Sequence, residues 1–356
     1  MSMHRTVPPS EIESALTTIW DELQGTNKMR ATLFNLIILA KKDERESYLQ
    51  EIAKKLIEKF PARIIFVSMG PSDGMETQVN VLSAEEGENA IACDLIHIEI
   101  GGSFKERTPF LILPHILPDL PVYLLRTDDP VGTDPVSMEL EALSRRIIFD
   151  SEATCDLPLY AQTILKHRES LHTDIADLNW ARFEEWRTLL AGTFHTKDRL
   201  LALTEARQIV IEYNALSSKT FCHTKTQAIY LALWLGQRLD WTLKNVLQNQ
   251  ELTFEYENSK IDLKPTETKD LPPGRIVNIE IHAPGDEIFS LKRHEKLCHH
   301  VMIERSTPTI CEIPTEFIFD KESGLSLVKE ICHKGTSTHF KGVLEILSNL
   351  DSEALK

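Results

Sequence analysis

Apolar positions in the first 150 residues follow two alternating spacings, which predict strands alternating with helices. The segment from Arg30 to Lys41 is nearly continuously apolar, as expected of a strand that helices cover on both faces. Residues 44–60 carry apolar side chains at helical spacing until Pro61 ends the helix, and residues 63–70 form a second buried strand. The same patterns predict further strands at 78–83, 93–100, 121–127 and 145–151, and helices at 9–23 (with Ser10 and Glu13 spaced as a capping box), 111–117 and 138–143. This order predicts an α/β domain with a substantially parallel sheet.

The second half of the chain predicts a different arrangement, because its strands cluster without helices between them. The patterns predict strands at 208–213, 251–256, 276–282, 288–292 and 297–304, and helices at 178–191, 223–240 and 324–351 with a break near Gly335. The proline-bearing stretch 264–274 predicts a surface loop. We therefore expect an α/β domain over residues 1–172, followed by an α+β domain with antiparallel strands over residues 173–356.

Charge and composition exclude several classes of partner. The 356 residues include 39 basic and 54 acidic side chains, which give a formal net charge of −15. A nucleic-acid surface needs a field of Lys and Arg that displaces counterions, so no nucleic-acid partner is expected. The sequence shows neither a signal peptide nor the ~18 consecutive apolar residues of a membrane helix, so we expect a cytoplasmic protein with no membrane partner. The six cysteines form no C-x-x-C pair and are expected to be reduced thiols.

Motifs that bind a cofactor or carry catalysis are missing from the sequence. It contains neither G-x-x-x-x-G-K-[ST] nor G-x-G-x-x-G, and the pair Gly101-Gly102 after a predicted strand is more typical of a turn. It also lacks the G-x-S-x-G elbow of serine hydrolases. We therefore predict no cofactor and no enzymatic activity. The alternative is an enzyme or sensor that binds a sugar phosphate at the carboxyl ends of the parallel strands, with Arg145 and Arg146 as candidate anion-binding residues.

Two chemical leads lie mainly in the last quarter of the chain. Histidines and cysteines, the residue types that bind transition metals, are concentrated there: His294, Cys298, His299, His300, Cys311, Cys332, His333 and His339. A strand over 297–304 would place Cys298 and His300 on one face and His299 on the other, which favours polar surface residues over a metal site. A reactive thiol needs a cationic or helix-N-terminal setting, which Cys222 beside His223 fits and Cys332 beside His333 fits in part. Unreactive thiols are more frequent in proteins, so we expect Cys222 and Cys332 to be unreactive. We also predict no bound metal.

The segment 177–194 carries one of the most specific patterns in the chain. Trp180, Phe183, Arg187 and Leu190 fall along one stripe of the predicted helix, and Trp186 widens it. Such a stripe is typical of core packing, while Trp and Arg together are also typical of interface anchors. The candidate partner-contact residues are Trp180, Arg182, Trp186 and Arg187 on this Trp-rich helix at the domain junction, with Arg126, Asp128 and Asp129 on the turn after the strand at 121–127.

Six segments, taken in order, resemble a known family. They are RATLFNLIILA (30–40), FPARIIFV (60–67), LPDLPVYLL (117–125), RRIIFDS (145–151), DLNWARFEEWR (177–187) and LALWLGQRLDW (231–241). In this order they resemble the glucose-6-phosphate dehydrogenase assembly protein family, OpcA. One departure is Leu124-Leu125-Arg126, where members of the family tend to carry tryptophan.

The resemblance implies a protein without catalysis of its own. It implies a factor that promotes the assembly or the allosteric activation of glucose-6-phosphate dehydrogenase, which opens the oxidative pentose phosphate pathway. The expected partner is therefore that dehydrogenase. Redox sensitivity through cysteines is attributed to some members, but no cysteine of this chain matches those positions and the property is not carried over.

Overall fold

The computed structural model describes residues 5–25, 28–43, 45–83, 90–131, 135–218, 224–248, 250–320 and 325–355. Contacts between residues divide the chain into two units. Unit 1 consists of residues 1–153, 166–178 and 323–336, and unit 2 consists of residues 154–165, 179–322 and 337–356. Each unit takes segments from both halves of the sequence, and the domain division at residues 172 and 173 stays a prediction.

Unit 1 is built on a nine-stranded sheet. Its strands are β1 Arg5–Thr6, β2 Met29–Arg30, β3 Asn35–Lys41, β4 Arg63–Gly70, β5 Gly74–Ser83, β6 Ile91–Gly101, β7 Val122–Arg126, β8 Arg146–Phe149 and β9 Asp174–Asp177. The strands β6-β4-β3-β7-β8-β9 lie side by side in this order and run parallel. Numbered along the chain, this is the order 3-2-1-4-5-6 of the doubly wound Rossmann sheet. The order reverses between β3 and β7, so these two strands form the switch point.

The helices alternate with the strands of unit 1 and accompany the sheet of unit 2. They are α1 Ile12–Leu23, α2 Glu46–Lys59, α3 Thr108–Ile112, α4 Pro135–Leu143, α5 Leu157–Leu171, α6 Leu178–Arg182, α7 Glu184–Thr193, α8 Lys197–Thr204, α9 Thr226–Arg238, α10 Leu325–Cys332 and α11 Thr338–Leu347. Short 3-10 helices cover Pro9–Glu11, Gly102–Arg107, Leu113–His115, Ser151–Ala153 and Glu353–Leu355. Among the described residues, no helix has both the length and the apolar character needed to cross a membrane.

The core of unit 1 lies where β3 meets α2. Leu36 and Ile38 on β3 are fully buried and belong to one cluster with Ile52 and Leu56 of α2. The intervening Ile37 and Leu39 are equally buried on the opposite face of the strand. The prediction of a central strand is therefore confirmed, because the apolar run of β3 is buried on both faces of the strand.

The capping box predicted at the first helix is wrong. α1 begins at Ile12, and its N-cap Glu11 makes no side-chain capping hydrogen bond. The carboxylate of Glu13 instead accepts hydrogen bonds from Arg63 at 3.0 and 3.2 Å and lies 2.8 Å from Nδ1 of His115. The Glu13 side chain, which the capping box would have used, thus pairs with charged residues of other elements.

Unit 2 is built on an eight-stranded sheet in the order β11-β12-β13-β10-β14-β15-β16-β17. Its strands are β10 Gln208–Asn214, β11 Leu243–Gln248, β12 Leu252–Tyr256, β13 Lys260–Thr266, β14 Ile276–Ala283, β15 Glu287–Arg293, β16 His300–Ser306 and β17 Thr315–Ile318. All neighbours are antiparallel except β10 and β13. The predicted fold class, an α/β domain with a largely parallel sheet followed by an α+β domain with largely antiparallel strands, is confirmed.

Several boundaries in unit 2 differ from the prediction. The helix predicted over 178–191 is two helices, α6 and α7, because the backbone leaves the helical region at Phe183 (φ −109°, ψ 17°). The loop predicted over 264–274 starts later, since β13 continues to Thr266. The strands β11, β13 and β17 and the helix α8 were not predicted. α8 and β17 keep few buried side chains, which leaves a weak periodic signal.

Candidate functional site

The carboxyl ends of β3 and β7 meet at the switch point, where doubly wound sheets bind ligands. Thr127, one residue past β7, donates hydrogen bonds from both its N–H and its hydroxyl to the carbonyl oxygen of Leu39, at 3.2 and 2.9 Å. Thr127 is itself buried. These bonds join the two strands directly at the position where a ligand crevice of such a sheet would lie.

The turn between β3 and α2 supplies its own anion to the start of the helix. The sequence from Lys41 to Arg45 reads KKDER and contains no glycine. Oδ1 of Asp43 accepts a hydrogen bond from the backbone N–H of Arg45 at 2.8 Å. Helix N-termini bind phosphates because their N–H groups point outward and the helix dipole favours negative charge. Here the carboxylate of Asp43 lies at the N-cap residue Arg45, directly before the first turn of α2.

The side chain of Arg45 extends across the same edge of the sheet. Its guanidinium forms an ion pair with Asp150, one residue past β8, and lies 3.6 Å from Oε2 of Glu152. Arg45 is 7% exposed and Asp150 is 1% exposed. Because β7 lies between β3 and β8, a side chain that starts after β3 and ends at Asp150 passes over the carboxyl end of β7.

A dinucleotide does not fit this edge. The dinucleotide cradle of a Rossmann sheet needs glycines that let the backbone approach the pyrophosphate, and a helix N-terminus that faces it. In this chain the phosphates would meet the carboxylates of Asp43, Asp150 and Glu152. The buried guanidinium of Arg45 is already paired with two of them. The sheet order is that of a dinucleotide-binding domain, but the chemistry of the edge is not.

The residues of the sugar-phosphate alternative lie at the opposite edge, which corrects that hypothesis. Arg146 is the first residue of β8 and Arg145 precedes it, so both lie at the amino end of the strand. Arg146 is buried, and its guanidinium donates to Glu330 at 2.9 Å and to the carbonyl oxygens of His333 and Gly335 at 3.0 and 2.9 Å. Arg146 therefore holds α10 and the turn after it against the sheet, and it does not bind an anion at the carboxyl edge.

Arg126, the last residue of β7, is also paired with carboxylates inside unit 1. Its Nε and Nη2 donate to the carboxylate of Asp128 at 3.0 and 2.9 Å, and its Nη1 donates to Glu141. Burial opposes the charge of Arg126, but the hydrogen bonds and charges of Asp128 and Glu141 outweigh burial and raise the pKa of Arg126. Asp128 and Asp129 are half-buried, and Oδ1 of Asp129 accepts a hydrogen bond from the N–H of Val131 at 3.1 Å.

Acid is expected to destabilise unit 1 through Glu141. Burial raises the pKa of this carboxyl, but the hydrogen bond from His167 and the charge of Arg126 outweigh burial and hold the pKa below its ordinary value. A group whose pKa is lower in the folded state contributes stability above its unfolded pKa and loses it as the pH falls through its folded pKa. We therefore expect the free energy of unfolding to decrease over the acidic range in which the pH falls below 4.5, the ordinary pKa of this carboxyl. In Glu141→Gln this part of the decrease is lost. Urea unfolding of both proteins across this range measures it, and identical pH profiles would contradict the assignment.

The aromatic stripe lies in unit 2 and is packed inside it. The guanidinium carbon of Arg187 lies 3.9 Å from the ring centroid of Trp180 and 4.4 Å from that of Phe183, and Nη1 of Arg187 donates to the carbonyl oxygen of Trp180 at 2.6 Å. Trp180 also contacts Phe340 of α11, with ring centroids 5.4 Å apart. The structure thus brings the buried Trp180 and the half-buried Arg187 together in one cluster.

Trp186 lies in a second cluster, on the other side of the stripe. It is 1% exposed, meets Phe319 edge to face at 5.2 Å, and has the guanidinium carbon of Arg293 at 5.3 Å from its ring centroid. Arg182 is half-buried and donates to Oδ1 of Asn179 at 3.1 Å. The core-packing interpretation of the stripe is confirmed. The partner-contact role of the seven candidate residues stays a prediction.

The histidine and cysteine leads gain no support. β16 begins at His300, so Cys298 and His299 lie in the preceding turn, and the expected alternation of faces is wrong. The described part of the chain contains no group of three His, Cys, Asp or Glu side chains that could hold a metal ion. Desolvation raises the pKa of the Cys332 thiol, the opposite of what a reactive cysteine needs. Cys222 and His223 lie outside the described residues.

These observations define a class: a two-unit chain with a Rossmann-type sheet whose ligand edge is filled by its own side chains. Residues 53–166 match the family model of the glucose-6-phosphate dehydrogenase subunit N-terminal domain. Residues 173–316 match the model of the corresponding C-terminal domain. The chain belongs to this family, as the six segments of the sequence predict.

Curated relatives of the chain carry the name OxPP cycle protein OpcA. The protein from Nostoc punctiforme is 25% identical over 219 residues, which cover 60% of this chain and 43% of that protein. The protein from Synechocystis sp. is 28% identical over 200 residues, which cover 54% of this chain and 40% of that protein. The match thus spans less than half the length of these relatives.

Solved structures with a similar fold include oxidoreductases. KijD10, a 3-ketoreductase from Actinomadura kijaniata in complex with TDP-benzene and NADP, superposes with a TM-score of 0.51 at 8% identity, over 88% of this chain and 95% of that one. Biliverdin reductase from Synechocystis sp. gives a TM-score of 0.50 at 8% identity, over 90% and 97% of the two chains. At such identities the likeness concerns the fold alone.

Proposed function

We propose that this chain is a non-enzymatic assembly factor or allosteric activator of glucose-6-phosphate dehydrogenase in the oxidative pentose phosphate pathway. Membership of the dehydrogenase-subunit family supports a role beside that enzyme. The relatives from Nostoc punctiforme and Synechocystis sp. are named as OxPP cycle proteins, which supports a role in that pathway.

The observation that carries the non-enzymatic part of the proposal is the self-filled edge of the Rossmann-type sheet. Asp43 occupies the start of α2, and Arg45 is paired with Asp150 across the carboxyl end of β7. An enzyme of this fold would need that edge for its cofactor. A chain that keeps the scaffold but fills the edge with a buried ion pair is better suited to binding another protein through its outer surface.

The difference in binding free energy that this chain needs in order to regulate the dehydrogenase is modest. A regulator that bound the active and inactive forms of the dehydrogenase equally well would shift nothing, so it needs a difference in affinity between them. A tenfold shift corresponds to about 1.4 kcal/mol of that difference. A few contacts at an interface of ordinary size are enough to supply it.

Among the candidate contact residues, the half-buried ones are proposed to meet the dehydrogenase directly. These are Arg182, Arg187, Asp128 and Asp129. The remaining three, Trp180, Trp186 and Arg126, are buried and are proposed to hold the others in place. Charged groups at an interface rim mainly set orientation and association rate, which suits a surface that recognises one partner.

The test of this proposal is complex formation with the cognate dehydrogenase, followed by sedimentation velocity. We expect a species heavier than either protein, and we expect Arg182→Glu and Asp129→Lys each to weaken the affinity by about tenfold, or 1.4 kcal/mol. Glu58→Lys, a charge reversal at an exposed position of α2, is the matched control and leaves the affinity unchanged. Failure of the unmodified chain to bind under both reducing and oxidising conditions rejects the proposed partner. Normal binding by both charge-reversed variants rejects only the proposed contact surface.

A further inference from the structure

A cavity of about 200 Å³ opens on the sheet of unit 1 beside α2. It exists because the connection from β4 to β6 runs through the antiparallel strand β5, where a doubly wound sheet ordinarily places a helix. The sheet therefore extends past α2. On the opposite face of the sheet α1 packs near β5, and Nε1 of Trp20 in α1 donates to Asp94 of β6 at 2.8 Å. The cavity is separate from the switch point between β3 and β7.

One wall of this cavity is formed by His97, whose ring is held by a hydrogen-bond relay. The hydroxyl of Ser68 donates to Oε1 of Glu46 at 2.6 Å and lies 3.0 Å from Nε2 of His97. A hydroxyl has a single hydrogen, so if Ser68 gives it to the carboxylate, Nε2 of His97 must donate to Ser68. Nδ1 then carries the lone pair, and no described residue donates a hydrogen bond to it.

The remaining lining of the cavity combines apolar side chains with the polar side chains of Gln50, Lys54, Gln78 and Asn80. Phe66, Leu82 and Leu95 supply the apolar surface, and Phe66 packs edge to face against His97 at 5.4 Å. Nε2 of Gln50 lies 3.4 Å from Oε1 of Glu46, and Nε2 of Gln78 donates to Glu76 at 2.8 Å. Each glutamine thus directs one N–H toward a carboxylate, and its carbonyl oxygen is left to act as an acceptor.

These features select the chemistry of a ligand. Apolar walls suit a flat ring, and the acceptors at Nδ1 of His97 and at the two glutamine oxygens need N–H donors on the edge of that ring. The cavity is smaller than the ~300–1,000 Å³ of sites for drug-sized ligands, so it suits a ring system and not a whole nucleotide. Burial lowers the pKa of His97 against the raising effect of Glu46, which keeps the ring neutral and Nδ1 able to accept.

We propose that this cavity binds the ring of a small amino-substituted nitrogen heterocycle, which donates N–H groups to Nδ1 of His97 and to the carbonyl oxygens of Gln50 and Gln78. Glu46 and Ser68 act as positioning residues that fix the tautomer of His97. The proposal is independent of the proposed function, because it concerns a different face of unit 1 and names a small molecule.

The experiment is a calorimetric titration of the full chain with adenine, and with hypoxanthine, which has an oxo group in place of the amine. We expect saturable binding of adenine and at least tenfold weaker binding of hypoxanthine. His97→Phe keeps an aromatic ring and removes Nδ1, so it is expected to weaken adenine binding by tenfold or more. His282→Phe, at a half-buried histidine of unit 2, is the matched control and binds adenine normally.

Three results would overturn the proposal. They are the absence of saturable adenine binding, equal affinity for adenine and hypoxanthine, and unchanged adenine binding in a folded His97→Phe variant. Thermal unfolding reports whether that variant is folded. If it is not, the comparison of adenine with hypoxanthine on the unmodified chain decides the question, together with Gln78→Leu, which removes one proposed acceptor at a half-buried strand position.

Discussion

Replacing Arg45 with methionine is expected to lower the stability of unit 1 by about 3–5 kcal/mol. The substitution keeps most of the apolar stem but removes the charge that pairs with Asp150, whose side chain has no exposed surface, and that lies near Glu152. An uncompensated buried charge costs far more than the pair as a whole contributes, because its desolvation is no longer offset. Hydrogen exchange of the β3 amides, which lie in the core of unit 1, measures the change locally.

Two further variants separate this effect from lost packing. Arg145→Met removes an exposed arginine at the other end of β8, so it is expected to change stability by less than about 0.5 kcal/mol. Arg45→Met combined with Asp150→Asn removes both charges and is expected to recover more than half of the loss. A cost below about 1 kcal/mol for Arg45→Met alone would show that the ion pair does not hold the edge closed.

Trp186→Ala is expected to destabilise unit 2 by about 3–5 kcal/mol, the usual cost of truncating a large buried aromatic side chain. It removes the edge-to-face contact with Phe319 and the ring beneath the guanidinium of Arg293. Burial lowers the pKa of Arg293 to about 10, so loss of the ring also leaves a desolvated cation with weaker support. Urea unfolding followed by circular dichroism measures the change.

The same variant bears on how the tryptophans contribute to partner binding. If Trp186 acts from inside unit 2, weaker binding of the dehydrogenase will accompany the loss of stability, and Trp186→Phe will restore most of both. Trp241→Ala truncates a half-buried tryptophan of the same unit and is expected to cost clearly less. Weaker binding by a Trp186 variant of unchanged stability would instead place the ring directly at the interface.

The parallel sheet was predictable from the sequence, because burial on both faces leaves a continuous apolar run along each central strand. The segments around Leu36 and Ile64 show this pattern, and both became central strands. The helix break at Phe183 was not predictable, since apolar periodicity continues through it. Boundaries depend on individual backbone angles, which the pattern of apolar side chains does not record.

The closed edge illustrates what sequence reasoning missed at the candidate site. The missing glycines after β3 were visible in the sequence, and they excluded the dinucleotide fingerprint. The ion pair that fills the edge joins Arg45 to a residue 105 positions away, and local spacing does not indicate such a pair. One signal was available: Asp150 directly follows an apolar strand, at the edge where doubly wound sheets place their functional groups.

We propose that this chain changes the behaviour of a dehydrogenase without carrying out its reaction. The most direct measurement is the rate of NADPH formation by the cognate glucose-6-phosphate dehydrogenase as a function of glucose 6-phosphate, at increasing concentrations of this chain. We expect a saturable change in kcat/KM, and no NADPH from the chain alone. Unchanged kinetics at every concentration of the chain, or NADPH formation by the chain in the absence of the enzyme, would contradict the proposed function.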